Sequence, residues 1–151
     1  MSIDAQFVGI AQLRAKLKRL GDVGAGQALA TALTAAAQPI QNEAKRRAPY
    51  LSGTLRRGIT TVEISRGPRR AVVAISTSNI PYARIHEFGG TIKPTKGKKF
   101  LKFKGKDGND VFVKSVTLPA RPYLRPAFDT KKSEATREFG EALRILIEQA
   151  L

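Results

Sequence analysis

A single histidine, His86, and 12 acidic residues are the side chains in this chain that could perform acid–base or metal chemistry. His86 stands beside Glu87 and could act as a general base. With one histidine, two-histidine zinc sites and triads built on a second histidine are excluded. No Gly-x-Ser-x-Gly elbow marks a nucleophile, and no Gly-Lys-Ser/Thr loop marks a phosphate site. The simpler interpretation of His86 is a side chain packed or hydrogen-bonded near a turn.

The acidic residues do not form a catalytic or metal-binding pattern. Acid-pair hydrolysis needs two converging carboxylates, but the acids here are scattered. Four of them share a helical segment with arginines, where solvated ion pairs are expected: Glu134, Glu138, Glu141 and Glu148. The segment 107–110 is faintly similar to a calcium loop, but it lacks the other ligands and the bidentate glutamate. We therefore predict no catalytic residue, no metal and no cofactor.

Length and composition predict one globular domain over residues 1–151, with 42% apolar and 7% aromatic residues. The longest apolar stretch, Ala28–Ala37, is far shorter than the ~20 residues of a membrane span. The N-terminal residues do not show the pattern of a signal peptide. Cysteine is absent, which excludes disulfides and fits a protein made in a reducing cytoplasm.

The positive charge is concentrated in one part of the chain. The formal net charge is +15, and seven lysines fall between Lys93 and Lys106, whereas residues 131–151 are neutral. A net charge of this size indicates which kinds of partner the protein could bind, and it does not indicate the fold. Nucleic acid, an acidic protein neighbour and a plain solvated face are all open interpretations of this basic segment.

Helical periodicity predicts two helices at the N-terminal end and one at the C-terminal end. The first spans Phe7–Leu20 and ends at Gly21, which suits a left-handed C′ position. The second carries an apolar row from Leu29 to Ala44, should be kinked at Pro39, and is closed by Pro49. The third is the longest, over residues 123–151.

Short β-branched runs predict the strands. Ile59–Ser65 and Ala71–Thr77 are predicted to form a pair of antiparallel strands. A short helical segment is predicted after them, over Tyr82–Phe88. Lys99–Lys104 and Val111–Val116 form a lysine-rich hairpin around Asp107-Gly108. The predicted fold class is α+β: two N-terminal helices, an antiparallel sheet of about four strands with a projecting basic hairpin over residues 91–116, and a long C-terminal helix.

Alternation along the hairpin separates two kinds of side chain. Leu101 and Phe103 share one face, and Phe100 and Lys102 share the other. Lysines beside phenylalanines could follow a phosphate backbone, as in single-strand binders. Because of this alternation, the face that carries Leu101 and Phe103 is more simply explained as core or interface.

Three segments together resemble the HK97-type family of bacteriophage tail components. They are Ala44–Ile59, which contains Ala-Pro and Ser-Gly-Thr-Leu-Arg, then Tyr82–Gly89 with its Glu-Phe-Gly end, and Arg121–Ala127 with its two prolines. The resemblance runs from about Ala28 to the end of the chain, and the first twenty or so residues match nothing specific. Ile85–Gly90 together with Leu118–Tyr123 also resembles the virion-morphogenesis proteins of the Mu-like tail-completion group.

The resemblance implies a non-enzymatic virion protein at the head–tail junction, assembled in the bacterial host cytoplasm. It implies a ring, commonly six-fold, that joins the tail to the head; a tail terminator and a small basic nucleic-acid-binding protein remain alternatives. Expected partners are copies of the chain, neighbouring neck, connector or tail-tube proteins and packaged DNA, with no membrane. The amphipathic N-terminal helix, within residues 1–21, is suited to be a further projecting arm, and we expect it to serve as one.

Two sets of residues follow from this resemblance and the charge pattern. The candidate assembly interface is Lys93, Lys96, Lys98, Lys99, Phe100, Lys102, Lys104, Lys106, Arg56, Arg57, Arg121 and Arg125. The motif residues expected to shape the backbone are Pro49, Gly53, Leu55, Tyr82, Glu87, Phe88, Gly89, Pro122 and Pro126.

Overall fold

The computed structural model describes residues 10–19, 21–50, 52–68, 70–77, 80–95 and 97–149. Within these ranges the helices are α1 (Ile10–Arg19), α2 (Gly21–Arg47), α3 (Thr54–Gly58), α4 (Ala83–Phe88) and α5 (Leu124–Gln149). The strands are β1 (Thr60–Gly67), β2 (Arg70–Ser76), β3 (Gly90–Ile92), β4 (Leu101–Lys104), β5 (Asp110–Val113) and β6 (Val116–Leu118). The predicted α+β fold class is confirmed.

The predicted break between the first two helices lies at Gly21. This residue has φ of 72°, a left-handed conformation that glycine adopts without a side-chain clash. Helix α2 continues through Pro39 to Arg47 as one element. Residues 7–9 and 20 of the predicted first helix lie outside the described residues.

Helices α2 and α5 form the body of the protein. Ala28 and Ala32, early in α2, pack against Leu143 and Ile147, late in α5. Farther along α2, Ala44 belongs to a second cluster with residues from the start of α5. The two helices therefore run antiparallel. Alanines on α2 allow close approach, and each buried leucine or isoleucine contributes about 1.5–3 kcal/mol.

The β1–β2 hairpin packs across α2. Thr61 of β1 donates its hydroxyl hydrogen to Gln41 Oε1 at 2.7 Å, and Gln41 is buried on the helix. The register shifts between Glu63 and Ser65, so Ile64 is an extra residue in β1. A shift of this kind is a β-bulge, which increases strand twist.

The described strands form three two-stranded antiparallel sheets, not one sheet of about four strands. The pairs are β1–β2, β3–β6 and β4–β5. The predicted strand over Val111–Val116 is divided at Lys114–Ser115 between β5 and β6. Pro119 directly follows β6 and has no backbone N–H to extend that ladder.

The predicted basic hairpin is a two-part ribbon. Its base is β3 paired with β6, from Gly90↔Leu118 to Ile92↔Val116, and its outer part is β4 paired with β5. The ribbon begins directly after α4 and ends just before α5. Both of its legs are thereby attached at one point of the fold.

Candidate assembly interface

Glu87 caps the first turn of α5. Its carboxylate accepts the backbone N–H groups of Tyr123 at 2.8 Å, Leu124 at 2.9 Å and Arg125 at 3.0 Å. The next residue, Pro126, has no N–H. One buried carboxylate therefore satisfies all the backbone donors from 123 to 126, and its negative charge lies at the positive end of the helix dipole.

The same corner is closed by two backbone contacts. Gly89 has φ of 71°, and a Cβ there would lie 2.8 Å from the backbone nitrogen of Ala120. Only glycine fits this approach without a shift. The N–H of Arg121 also donates to the carbonyl of His86 at 2.7 Å. These contacts fasten the end of α4 to the segment that enters α5.

The segment between α2 and β1 is organised around α3. Gly53, at φ of 74°, precedes α3, and Leu55 is buried in the core. Arg56 Nε donates to the carbonyl of Ala48 at 3.1 Å, and its guanidinium carbon lies 4.9 Å from the ring centre of Tyr50.

The neighbouring arginine, Arg57, also has intrachain partners. It donates to the carbonyl of Ser52 at 3.3 Å and to Thr54 Oγ1 at 3.4 Å. Pro49, on the near side of this loop, is half-buried. Arg56 and Arg57 thus shape this loop as well as carrying charge.

Two of the predicted interface lysines are paired within the hairpin. Lys102 Nζ lies 2.8 Å from Asp110 Oδ2, and Lys104 Nζ lies 2.9 Å from Asp110 Oδ1. The hydrogen bond from Lys102, and to a smaller extent the one from Lys104, holds the pKa of Asp110 below its ordinary value. Lys102 also faces the Phe112 ring at 5.7 Å.

The other basic residues of the predicted interface that the structure describes are exposed. Lys96 lies outside the described residues. Within the described part of the chain, no ion pair forms at Lys93, Lys98, Lys99, Lys106, Arg121 or Arg125. Phe100, beside Lys99, is 46% exposed. These groups supply free positive charge along the ribbon and at the start of α5.

The predicted alternation of the outer hairpin is confirmed by its register. Leu101 pairs with Val113, and Phe103 with Val111, so these four apolar side chains share one face. Lys102 pairs with Phe112 on the opposite face. Phe103 is 45% exposed, so the apolar face is not part of the core.

An apolar groove, which the sequence did not predict, lies between α2, β2 and α5. It has a volume of about 880 Å³. Apolar side chains from all three elements line it, among them Leu33, Val73, Ile75, Phe128 and Phe139. Arg125 and Lys132 add positive charge. Because the walls come from three separate elements, no single stretch of sequence shows it.

Some of the remaining motif residues are packed against neighbours, and others are exposed to solvent. Tyr82 lies edge-on to His86, with ring centres 5.8 Å apart, and is 38% exposed. Phe88 is 74% exposed, an unusual position for a large apolar ring beside a buried glutamate. Pro122 is exposed and Pro126 is half-buried at the start of α5.

The calcium-like segment is a turn. Asp107 accepts the backbone N–H of Asn109 at 3.2 Å and its side-chain amide at 2.8 Å. The hydrogen bond from the Asn109 side-chain amide is the larger cause, and the one from the Asn109 backbone N–H the smaller cause, of a lowered pKa of Asp107. Among the described residues, no group of three histidine, aspartate or glutamate side chains is arranged to hold a metal.

The structure is an α+β body that carries a basic, aromatic ribbon, and comparison with known families identifies its family. The family described as "Bacteriophage HK97-gp10, putative tail-component" matches residues 11–89, and the chain belongs to this family. No curated protein and no solved structure matched the chain. No helix in the described ranges is long and apolar enough to cross a membrane.

The extent of the family match corrects one expectation from the motifs. It begins at residue 11 and so takes in α1, although the first twenty or so residues had shown no specific resemblance. It ends at Gly89, after the first two motifs and before the ribbon and α5. The protein is a bacteriophage tail-component structural protein, and membership places it in the virion.

Proposed function

We propose that this tail component is a subunit of the head–tail joining ring, which caps the tail tube or docks it to the capsid connector, and that it has no catalytic role. The observation that carries the proposal is the Glu87 cap. It fastens a projecting ribbon to a rigid two-helix body, as a subunit that must reach its neighbours requires. We further propose a single domain over residues 1–151, with α1 as an additional arm.

The charge distribution supports contact with other virion components. Lysines on the ribbon and arginines near α5 present positive charge on exposed surfaces. Six copies would carry a formal charge of about +90, so assembly needs acidic neighbours, DNA or counterions to offset self-repulsion. Acidic protein surfaces at the neck, or the packaged DNA, would supply that charge.

Deletion of the gene in the parent phage tests the proposed position. Loss of a joining subunit should leave filled heads and separate tails of normal length, visible by negative-stain electron microscopy. Expression of the wild-type chain in trans should restore joined particles. Joined, infectious particles in the deletion strain would overturn the proposal.

The second candidate is a tail terminator in the same particle. A terminator stops growth of the tail tube, so its loss should give tubes of irregular length rather than normal, unjoined tails. The same micrographs therefore separate the two positions.

A nucleic-acid-binding role is favoured specifically by the unpaired lysines of the ribbon. A salt-titrated gel shift with the purified protein tests it. Tight binding to DNA, with a steep loss of affinity as salt rises, would favour this role. Weak binding without a salt slope would exclude it.

A further inference from the structure

The β1–β2 sheet covers only part of the helix pair on which it packs. Thr61 of β1 bonds to Gln41 of α2 and is the register partner of Ile75 in β2, so Thr61 and Ile75 share the face toward α2. Two packed helices form a layer about 20 Å wide, and two strands about 4.8 Å apart cover roughly half of it. The apolar groove lies on the β2 side of this sheet, because β2 lines it and no described residue of β1 does.

Strand β2 has the sequence of an interior strand. Residues 71–75 are all apolar. A continuous apolar run of this length is typical of a strand that is covered on both faces. In this structure Arg70 is exposed and the other six residues of β2 are only half-buried. The strand is therefore more apolar than its present surroundings require.

The two edges of the β1–β2 sheet differ in their protection. Exposed strand edges normally carry charges, prolines or bulges, which prevent pairing with other chains. Strand β1 has a bulge at Ile64 and a Glu63–Arg66 ion pair at 3.4 Å. Residues 71–75 of β2 have none of these features, and among the described strands β2 pairs only with β1. Because every second residue of a strand points its N–H and C=O away from a given neighbour, the outer edge of β2 is open to another strand.

The groove would receive the side chains of a strand added at this edge. Alternate side chains of that strand would point toward the helices, where Leu33 and Ile40 of α2 and Phe128 and Phe139 of α5 line the groove. Its volume of about 880 Å³ is within the range of sites that enclose a ligand, ~300–1,000 Å³. In strand addition the backbone bonds supply affinity, and pockets for alternate side chains supply specificity.

The charge at the groove indicates what kind of chain it would accept. Arg125 and Lys132 line the groove, and no acidic residue is among its described lining residues. Within the described part of the chain, neither cation forms an ion pair. A second copy would bring a further formal charge of +15, whereas an acidic segment would be attracted. The charge therefore favours a different, acidic partner.

We propose that the β2 edge and the groove bind an extended segment of a different virion protein, which adds to the sheet as a third strand. The segment is apolar at alternate positions and acidic at an end, where it meets Arg125 and Lys132. The contact rests on the proposed joining function, because it names how the subunit would hold a neighbouring component of the head–tail junction.

A synthetic peptide tests strand addition. It alternates valine and threonine over seven residues, the length of β2, and has an aspartate at each end. Two matched peptides carry N-methyl groups, one on its valine amides and the other on its threonine amides. When the valines enter the groove, all valine amides lie on one edge of the peptide and all threonine amides on the other. One methylated peptide should therefore bind at least about tenfold more weakly than the other, measured by fluorescence anisotropy.

The methylated peptides have the same charge, so general attraction to a basic protein affects them equally. Equal affinities of the two methylated peptides, or no saturable binding of the parent peptide, would overturn the proposal. Amide exchange measured by NMR locates the contact. The parent peptide should protect alternate amides within residues 71–75, and protection confined to other elements would also overturn it.

Variants of the protein test the groove itself. Phe128→Asp, at a site that is 41% exposed, should weaken binding of the parent peptide at least about tenfold, whereas Phe112→Asp on the ribbon should not. Lys132→Glu, at an exposed site, should shift the preference toward a peptide with lysine in place of aspartate. Self-association of the protein that the peptide disrupts would show that a second copy occupies the groove, and would overturn the proposal.

The contact and the joining function can fail separately. If the peptides fail these tests but deletion of the gene leaves unjoined heads and tails, the strand contact is wrong and the function stands. If the peptides bind as expected but deletion phages still join heads to tails, the contact stands and the function is wrong.

Discussion

The Glu87 carboxylate accepts the backbone N–H of Tyr123 at 2.8 Å, across 36 residues of sequence. The contact joins the second and third family-like segments, which lie on either side of the ribbon. It explains why a glutamate beside an exposed phenylalanine is itself buried. Substitutions at this corner are therefore expected to destabilise the fold.

Substitution of Glu87 should destabilise the protein more than loss of one ion pair. Glu87→Ala leaves the first-turn donors of α5 without their acceptor and is expected to lower the free energy of unfolding by about 2–4 kcal/mol. Glu87→Gln retains one acceptor oxygen and should cost less. Urea denaturation followed by circular dichroism measures both changes. Glu148→Gln, exposed near the other end of α5, is the matched control, and Glu87→Ala with wild-type stability would contradict the capping role.

Gly89→Ala should lower the free energy of unfolding by about 1–2 kcal/mol because residue 89 has a positive φ. The loss should be larger still because the new methyl group would meet the backbone of Ala120. Gly108→Ala is the control, since Gly108 has φ of 80° but no atom within 4 Å of a new Cβ. Thermal unfolding of the two variants compares them. Equal losses would show that the approach to Ala120 has no energetic consequence.

The acid titration of the hairpin depends on Asp110. Its pKa is held below the ordinary value of 3.8. The ion pairs of Asp110 therefore stabilise the fold at pH values above 3.8, and this stabilisation is lost as the pH falls through the folded-state pKa. Lys102→Met and Lys104→Met should each raise the Asp110 pKa, which carboxyl-carbon NMR titration measures. Lys98→Met, at an exposed site on the same ribbon, should leave it unchanged. A pKa that does not respond to either of the first two variants would contradict the pairing.

The buried Tyr123 side chain should make the protein less stable at high pH. Burial raises its pKa above 10.0, and a hydrogen bond with Thr77 acts in the opposite direction. The unfolded chain therefore releases this proton first, and stability present below pH 10 should decline as the pH rises through the folded-state pKa. The free energy of unfolding, measured from neutral pH to about pH 11, should show a shallower decline for Tyr123→Phe. Identical slopes for variant and wild type would rule out Tyr123 as the source.

Salt should change self-association in a defined direction. Copies with a formal charge of +15 repel one another, and salt screens that repulsion while strengthening apolar burial. The oligomer fraction, measured by light scattering, should therefore rise as salt increases. Oligomers that do not respond to salt would exclude a direct role for the lysines in assembly.

Much of the fold was predictable because local spacing encodes it. The apolar row on α5 and the alternation at Leu101 and Phe103 indicated a long helix and a two-faced hairpin, and both are confirmed. Gly21 marked a helix boundary because few other residues adopt its backbone angle without cost.

The parts that local spacing did not reveal depend on distant contacts. Strands β3 and β6 have three residues each, too few for a periodic signal, so the division into three sheets was not expected. The Glu87 cap is a long-range hydrogen bond, and the groove is made where three elements meet. The motifs marked Glu87 as special without showing that its partner is the start of α5.

Both legs of the ribbon leave the body within a few residues of the Glu87 carboxylate. The three Glu87 hydrogen bonds lie where both legs of the ribbon meet the first turn of α5. We therefore expect a displacement of the ribbon base to be transmitted to α5 and, through the apolar contacts between the two helices, to α2.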